Sequence, residues 1–183
     1  MKHKNFNVFI KLFHRISSFF NTVCYHYISK RCKGEIYMAS VQAVCNTFLL
    51  KSFTEPDHIP ITPMKLQKLI YFAYKDFLQK TGKRAFNDTI QTWKYGPVIQ
   101  SVYDEFKSYG KKPITRFARD AQDKVYVVKG KGLNSSIDYV WNKYKCFNGI
   151  DLSNMTHQDG TAWSKAFEAH RPYLKDADIK NEQ

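Results

Sequence analysis

The sequence predicts a mainly α fold, with about five helices in one compact domain and a small β element made of a short strand plus a hairpin. Apolar residues recur at helical spacing in several windows, of which residues 41–49 are the clearest. Residues typical of helix ends bound these windows, such as Thr62 ahead of Pro63 and Gly82 at the far end. Short runs of alternating polarity indicate the β element.

Each predicted helix has an apolar face and a recognisable boundary. The third helix starts at Gly96-Pro97 and closes at Gly110, and Ser135 or Ser136 caps the fourth. The predicted helices cover, to within a few residues, 41–53, 63–81, 97–110, 136–148 and 161–170.

The predicted β element comes from three short segments. Thr89–Trp93 alternates in polarity and reads as a strand. Ile114–Phe117 and Val125–Val128 are rich in β-branched and aromatic residues, and we predict that they pair as a hairpin across a polar turn. The glycines around Lys131 are interpreted as a linker into the fourth helix, since a nucleotide-binding fingerprint is missing.

Charge and composition divide the chain into three parts. Residues 1–37 hold seven Lys or Arg and one acidic residue, which is +6 of the formal net charge of +13. This segment is either a basic amphipathic helix, too often interrupted by charge to span a membrane, or a leader ahead of a true start at Met38. Residues 38–174 form the predicted helical domain, and residues 175–183 form a polar tail that we expect to fray.

The sequence contains no recognisable motif for catalysis, metal binding or cofactor binding. His58, His157 and His170 lie far apart, and no pair of ligands has the spacing of a zinc site. Cys146 with His157 is the most plausible nucleophile and base, but no local motif supports that pair or a hydrolase built on His157. We therefore predict a protein that is not an enzyme and needs no cofactor.

Cysteine usage and the spread of charge bear on location and partners. Only Cys45 and Cys146 fall in the predicted domain, and two distant cysteines do not make a disulfide framework. This cysteine usage favours a protein of the reducing cytoplasm. Basic residues are dispersed through the domain, with Lys111-Lys112 and Lys129–Lys131 as the nearest approach to clusters. A nucleic-acid-binding regulator is therefore kept as a second interpretation.

Two corners of the sequence stand out, and four ordered segments carry a family resemblance. The corners are Trp93–Pro97, where two aromatics precede a Gly-Pro break, and the polar turn Thr156–Gly160. The segments are Thr62–Tyr71 (TPMKLQKLIY), Ala85–Asp88 leading to Trp93–Val98 (WKYGPV), Val102–Gly110, and Leu152–Trp163. In this order they resemble the Panacea domain of SocA-like antitoxins, also known as phage-associated GepA-like proteins, over most of residues 39–170.

The resemblance implies a bacterial or prophage antitoxin that neutralises a genetically linked toxin by binding it directly. For one branch it implies a proteolytic adaptor that delivers the toxin to an AAA+ protease. Many relatives have proline before the late tryptophan, whereas Ala162 precedes Trp163 here, so that loop is expected to differ in shape. Because large aromatics and a few polar groups dominate interfaces, the predicted partner-binding residues are Gln67, Lys68, Trp93, Tyr95, Tyr103 and His157.

Overall fold

The computed structural model describes residues 38–182, and within them helices predominate. The predicted mainly α class with a small β element is confirmed, and two short helices, α5 and α7, add to the five expected. The predicted leader, residues 1–37, lies outside the described residues. The elements are α1 (Val41–Thr54), α2 (Pro63–Thr81), β1 (Gln91–Trp93), β2 (Gly96–Val98), α3 (Gln100–Phe106, followed by a 3-10 turn at Lys107–Tyr109), α4 (Lys131–Tyr144), α5 (Gly149–Thr156), α6 (Ala162–Glu168) and α7 (Asp176–Lys180).

Helix α2 is the central element, and α1, α3, α4, α5, α7 and β2 all pack against it. Its start is as predicted: the Thr62 hydroxyl accepts a hydrogen bond from the Lys65 amide, and Pro63 occupies the first turn. Gly82 ends it in the left-handed conformation, with φ of 68°. Every residue from 65 to 74 is buried, so this part of the helix has no solvent face.

The boundary between α4 and α5 differs from the prediction. Helix α4 starts at Lys131, with Gly130 as its N-cap, so Ser135 and Ser136 lie inside the helix. Asn148 does not end a helix; it caps α5 through a reciprocal pair of hydrogen bonds with Asp151. The expected helix stop is instead a helix start, because the Asn148 side chain accepts hydrogen bonds from the Ile150 and Asp151 amides as an N-cap does.

The β element is a hairpin made of β1 and β2. Thr92 lies opposite Pro97, and Trp93 lies opposite Gly96, in an antiparallel pair joined by the two-residue turn at Lys94 and Tyr95. Gly96-Pro97 was predicted to start the third helix; it belongs to β2, and α3 begins only at Gln100. The outer edge of β1 is also covered, because the Thr92 amide donates to the Pro172 carbonyl at 2.9 Å.

The second predicted hairpin, between Ile114–Phe117 and Val125–Val128, is wrong, since neither segment forms a strand. A side chain from α1 makes hydrogen bonds to both segments, in place of the bonds that paired strands would make to each other. The Asn46 amide donates to the carbonyls of Ala118 and Tyr126, both at 3.0 Å, and its oxygen accepts from the Ala118 amide at 2.8 Å. The two segments are therefore tied to α1 at the positions where they would otherwise pair.

The expected fraying of the tail is also wrong for the described residues 175–182. They include α7, which packs on α2 with Ile179 buried. Glu182 is buried as well, and its carboxylate accepts hydrogen bonds from the Tyr71 hydroxyl, the Lys75 ammonium and the Ala162 amide. The polar composition of this segment supplies interior contacts to α2 and α6.

Among residues 38–182, no helix is both long enough and apolar enough to cross a membrane.

Candidate functional site

The hairpin corner, residues 91–98, projects a two-residue turn from the helical body. Three side chains from three helices hold its backbone. The Lys68 ammonium of α2 donates to the Pro97 carbonyl at 3.0 Å, and the Ser153 hydroxyl of α5 donates to the Tyr95 carbonyl at 2.8 Å. The Trp163 indole of α6 donates to the Trp93 carbonyl at 2.9 Å. The turn is thus a rigid platform fixed at both of its ends.

Gln67 fixes the chain just after the corner. Its amide nitrogen donates to the Ile99 carbonyl at 3.1 Å, and its amide oxygen accepts from the Ile99 amide at 2.9 Å. These two hydrogen bonds resemble those between paired β-strands. They satisfy both backbone polar groups of Ile99, which lies between β2 and α3. Gln67 is 5% exposed, and its role is to position the corner from inside.

Gly96 is required by both the conformation and the space at the corner. Its φ is +99°, in the region that side chains rarely adopt. A β-carbon there would lie 2.7 Å from the Thr156 hydroxyl oxygen and 2.8 Å from Lys68 Cε. The backbone of β2 can therefore approach α2 and α5 only because residue 96 has no side chain.

Lys68 is a buried cation at the base of the corner. It is 1% exposed, and burial lowers the pKa of its ammonium to about 7. In the described part of the chain no carboxylate pairs with it, and the Pro97 carbonyl is its hydrogen-bond partner. Burial is the cause of this shift, because the neutral amine costs less to bury than the ion.

His157 lies beside this buried lysine, at the C-terminal end of α5. Its ring stacks on Trp163 with centroids 3.8 Å apart, and Trp163 stacks in turn on Phe167 at 4.7 Å. Burial, and then the charge of Lys68, lower the pKa of the imidazole. Its Nε2 atom is buried without a hydrogen-bond partner among the described residues, which also favours the uncharged ring.

Three rings from the corner and α3 form what we term the aromatic face: Trp93, Tyr95 and Tyr103. Tyr95 is 61% exposed at the tip of the turn, and Tyr103 on α3 is 39% exposed. The rings of Trp93 and Tyr103 contact each other with centroids 4.9 Å apart. Such rings combine a large apolar area with few rotatable bonds, which makes the face suited to protein recognition.

The structure separates the six predicted partner-binding residues into two groups. Trp93, Tyr95 and Tyr103 are accessible on the aromatic face, and His157 is half-buried beside it. Gln67 and Lys68 are buried and make no surface contact in this conformation, so the direct contact predicted for both needs correction: they shape the corner from beneath.

Sequence reasoning missed the residues that anchor the corner from α5 and α6. Ser153 and Trp163 lie in a motif segment but were not predicted to hold the corner, and the exposed ring of Phe167, which stacks on Trp163, was not predicted either. The spacing of four residues between Trp163 and Phe167 could have predicted that their rings stack, since it places both rings on one side of a helix.

Within the described residues there is no metal-binding cluster, and the one nucleophile and base considered from the sequence lie at opposite ends of a helix. No group of three or more His, Cys, Asp or Glu among residues 38–182 is placed to hold a metal ion. Cys146 precedes α5 and His157 follows it, so a helix about 12 Å long separates the imagined nucleophile and base.

The chain resembles known proteins over the region that contains the hairpin corner. The model of the family described as antitoxin SocA-like, Panacea domain, matches residues 66–164. The antitoxin SocA of Caulobacter vibrioides is 30% identical over 128 residues, which cover 67% of this chain and 67% of that protein. No solved structure matches the chain. The matched range includes every side chain that fixes the corner, from Gln67 to Trp163.

Proposed function

Because the chain belongs to the family of SocA-like antitoxins with a Panacea domain, we propose that it neutralises a genetically linked toxin in the cytoplasm by binding it directly. The chain neutralises the toxin by covering part of the toxin surface, so it needs no catalytic group of its own. The observation that carries the proposal is the aromatic face on a turn held from below by three helices.

The rigidity of the corner supports a role in binding. A side chain that is ordered before a complex forms loses less conformational entropy on association. Tyr95 projects from a turn whose carbonyl is already held by Ser153, and the ring of Trp93 is already packed on Tyr103. These rings can therefore bury area against a partner without ordering the backbone that carries them.

Growth rescue tests the proposal. The open reading frame beside this gene is expressed alone and then together with the full chain. The proposal predicts that the neighbour stops growth and that the full chain restores it. A harmless neighbour, or toxicity that the full chain does not relieve, contradicts the proposal for that pair.

The amount of toxin in the rescued cells separates two modes of neutralisation. Occlusion of the toxin leaves its abundance unchanged while growth recovers. Delivery to an AAA+ protease, which the resemblance implies for one branch, lowers its abundance and fails in a strain without that protease. Rescue that instead follows repression of the toxin transcript, with salt-sensitive binding to the operon DNA, would favour the nucleic-acid-binding interpretation.

A further inference from the structure

Lysine side chains and aromatic rings alternate along the surface that α2 and α4 form together. The Nζ atom of Lys80, on α2, lies 4.9 Å from the centroid of the Tyr139 ring on α4. The Nζ atom of Lys143, one turn further along α4, lies 5.5 Å from the same centroid and donates to the Tyr139 hydroxyl at 3.3 Å. Tyr139 is therefore in contact with two ammonium groups that come from two helices.

The alternation continues beyond Lys143. Its Nζ atom also lies 5.2 Å from the centroid of the Tyr144 ring, and that ring packs edge-on against Phe147 with centroids 6.2 Å apart. We term these five residues the basic aromatic row: Lys80, Tyr139, Lys143, Tyr144 and Phe147. Tyr139 is 47% exposed and Phe147 is 38% exposed, and both lysines are exposed. The row thus presents cations and ring surface to solvent together.

The row carries positive charge that its neighbours do not cancel. Asp76 pairs with Lys80, and the carboxylate of Asp138 pairs with a lysine of α1, but none of the ion pairs within residues 38–182 includes Lys143. The hydrogen bond to the Tyr139 hydroxyl raises the pKa of the Lys143 ammonium, so this group is charged at neutral pH. The partner that complements such a surface is an anion.

A single nucleic-acid strand combines the two features that the row complements. Its phosphates recur about every 3.4 Å along a strand of B-form DNA, so ammonium groups no more than about 10 Å apart can bind phosphates of one strand. Its bases are flat and unpaired, and they stack on exposed aromatic side chains whatever the sequence. An acidic protein surface offers the charge without a series of flat rings, and a duplex keeps its bases stacked on each other.

We propose that the basic aromatic row binds a single strand of DNA or RNA. Lys80 and Lys143 bind phosphates of the strand, and the rings of Tyr139 and Phe147 each stack on a base. This inference goes beyond the proposed function, because the row shares no residue with the aromatic face and its partner is not the toxin.

Fluorescence anisotropy of the full chain with labelled strands tests the row. The probes are mixed-sequence DNA and RNA strands of about 12 nucleotides, together with a DNA duplex of the same sequence. We expect saturable binding of at least one kind of strand, weakening as salt is added, and weaker binding of the duplex because its bases are not free to stack. The comparison of the DNA and RNA strands identifies which of the two is preferred.

Two variants separate the charge of the row from its rings. Lys143→Gln should weaken binding and lower the slope of log affinity against log salt by about 0.7, as for one lost phosphate contact on a single strand. Tyr139→Ala should weaken binding at least about fivefold, the order of one lost base stack, and leave that slope unchanged. Lys112→Gln and Tyr126→Ala are the matched controls, exposed positions outside the row, and both should bind as the wild type does.

Three results would overturn the proposal: no binding of either strand, a duplex that binds as tightly as the strands, or control variants that lose as much affinity as the row variants. Melting temperatures check that each variant is folded. If Tyr139→Ala does not fold, photo-crosslinking of the wild-type chain to a strand that contains iodouracil decides. The proposal predicts crosslinks at Tyr139 or Phe147, and crosslinks confined to other residues contradict it.

The outcomes also separate this inference from the proposed function. Tyr95→Ala should keep the affinity for strands, whereas Tyr139→Ala should keep the affinity for the toxin. Failure of the strands to bind leaves toxin neutralisation intact, and failure of the growth rescue leaves strand binding intact.

Discussion

Gly96 is the point of closest approach in the hairpin corner, and its substitution gives a sharp prediction. Gly96→Ala must hold a side chain at a φ of +99° and place its β-carbon within 3 Å of Lys68 and Thr156. We expect it to lower the free energy of unfolding by about 3 kcal/mol, from backbone strain and overpacking together. Chemical denaturation measures this difference.

Gly160 provides the matched control for Gly96. Its φ is +80°, but a β-carbon there would meet nothing within 4 Å. Gly160→Ala should therefore lose only the strain contribution, about 1 kcal/mol. An equal loss in both variants would show that packing of Gly96 against Lys68 and Thr156 contributes nothing.

The buried amine of Lys68 predicts how stability depends on pH. The pKa of its ammonium is about 7 in the folded chain, against an ordinary value of 10.5. Between these values the unfolded chain binds more protons, so the free energy of unfolding should rise with pH by up to ~1.4 kcal/mol per unit. Below about pH 7 both states carry the charge, and the penalty for burying it is fully present.

Lys68→Met isolates this effect, since the variant keeps an unbranched chain of similar length without a titrating group. Denaturation between pH 7 and the onset of tyrosine ionisation near pH 10 should show a shallower slope for the variant than for the wild type. His157 titrates in a lower window, because burial moves its pKa downward from 6.5. Identical slopes would contradict a lysine that is neutral inside the corner.

Two of the predicted partner-binding residues, Gln67 and Lys68, are buried, which their local sequence does not indicate. Gln67 and Lys68 are polar residues on a helix, which ordinarily predicts a solvated face. Their partners are backbone groups of Ile99 and Pro97, about thirty residues further on, and no local pattern reveals that these groups need donors and acceptors. The turn that exposes Tyr95 was predictable, because the Gly-Pro pair that follows it marks a turn.

At the scale of elements, the C-terminal segment that contains α7 is bonded to α2 through the side chain of Glu182. The Glu182 carboxylate joins Tyr71 and Lys75 of α2 to the Ala162 amide at the start of α6. Glu182→Ala should lower the free energy of unfolding by about 3 kcal/mol, because buried donors lose their acceptor. Thermal unfolding followed by circular dichroism measures the loss.

Glu168 offers a matched acidic control for Glu182. It lies exposed near the end of α6, outside the ion pairs of the described residues. Glu168→Ala should change stability by no more than about 0.5 kcal/mol. If Glu182→Ala is as mild as this control, the contacts of Glu182 do not hold α7 in place.

Elements with local signals were predictable from the sequence, and those fixed by distant side chains were not. Thr62-Pro63 and Gly82 mark α2 by chemistry that acts within one turn of the helix. The segments around Ala118 and Tyr126 have strand-like composition, but Asn46, more than seventy residues earlier, takes their hydrogen bonds. Glu182, just after α7, likewise binds Tyr71 and Lys75, and the polar sequence of the tail gives no reason to expect these contacts.

For the whole molecule, α2 links the central core to the aromatic face. The same helix that fills the core through Leu66, Leu69 and Ile70 also holds the corner through Gln67 and Lys68. A test of the proposed binding that leaves stability unchanged therefore needs a position at the tip of the turn. Tyr95 is that position, because its side chain is mostly exposed while its carbonyl is held by Ser153.

Tyr95→Ala should accordingly reduce toxin affinity without unfolding the protein. We expect a loss of at least about tenfold, as for an aromatic residue at the centre of an interface, and a melting temperature close to that of the wild type. Tyr139→Ala is the matched control: Tyr139 is 47% exposed on α4, away from the corner, and should bind as the wild type does.

Calorimetric titration of the full chain with the purified product of the neighbouring toxin gene tests the central claim most directly. The account predicts saturable binding by the wild type and by Tyr139→Ala, with binding weakened at least about tenfold in a folded Tyr95→Ala. Absence of binding by the wild type, or a folded Tyr95→Ala that binds as tightly as the wild type, would contradict direct neutralisation through the aromatic face.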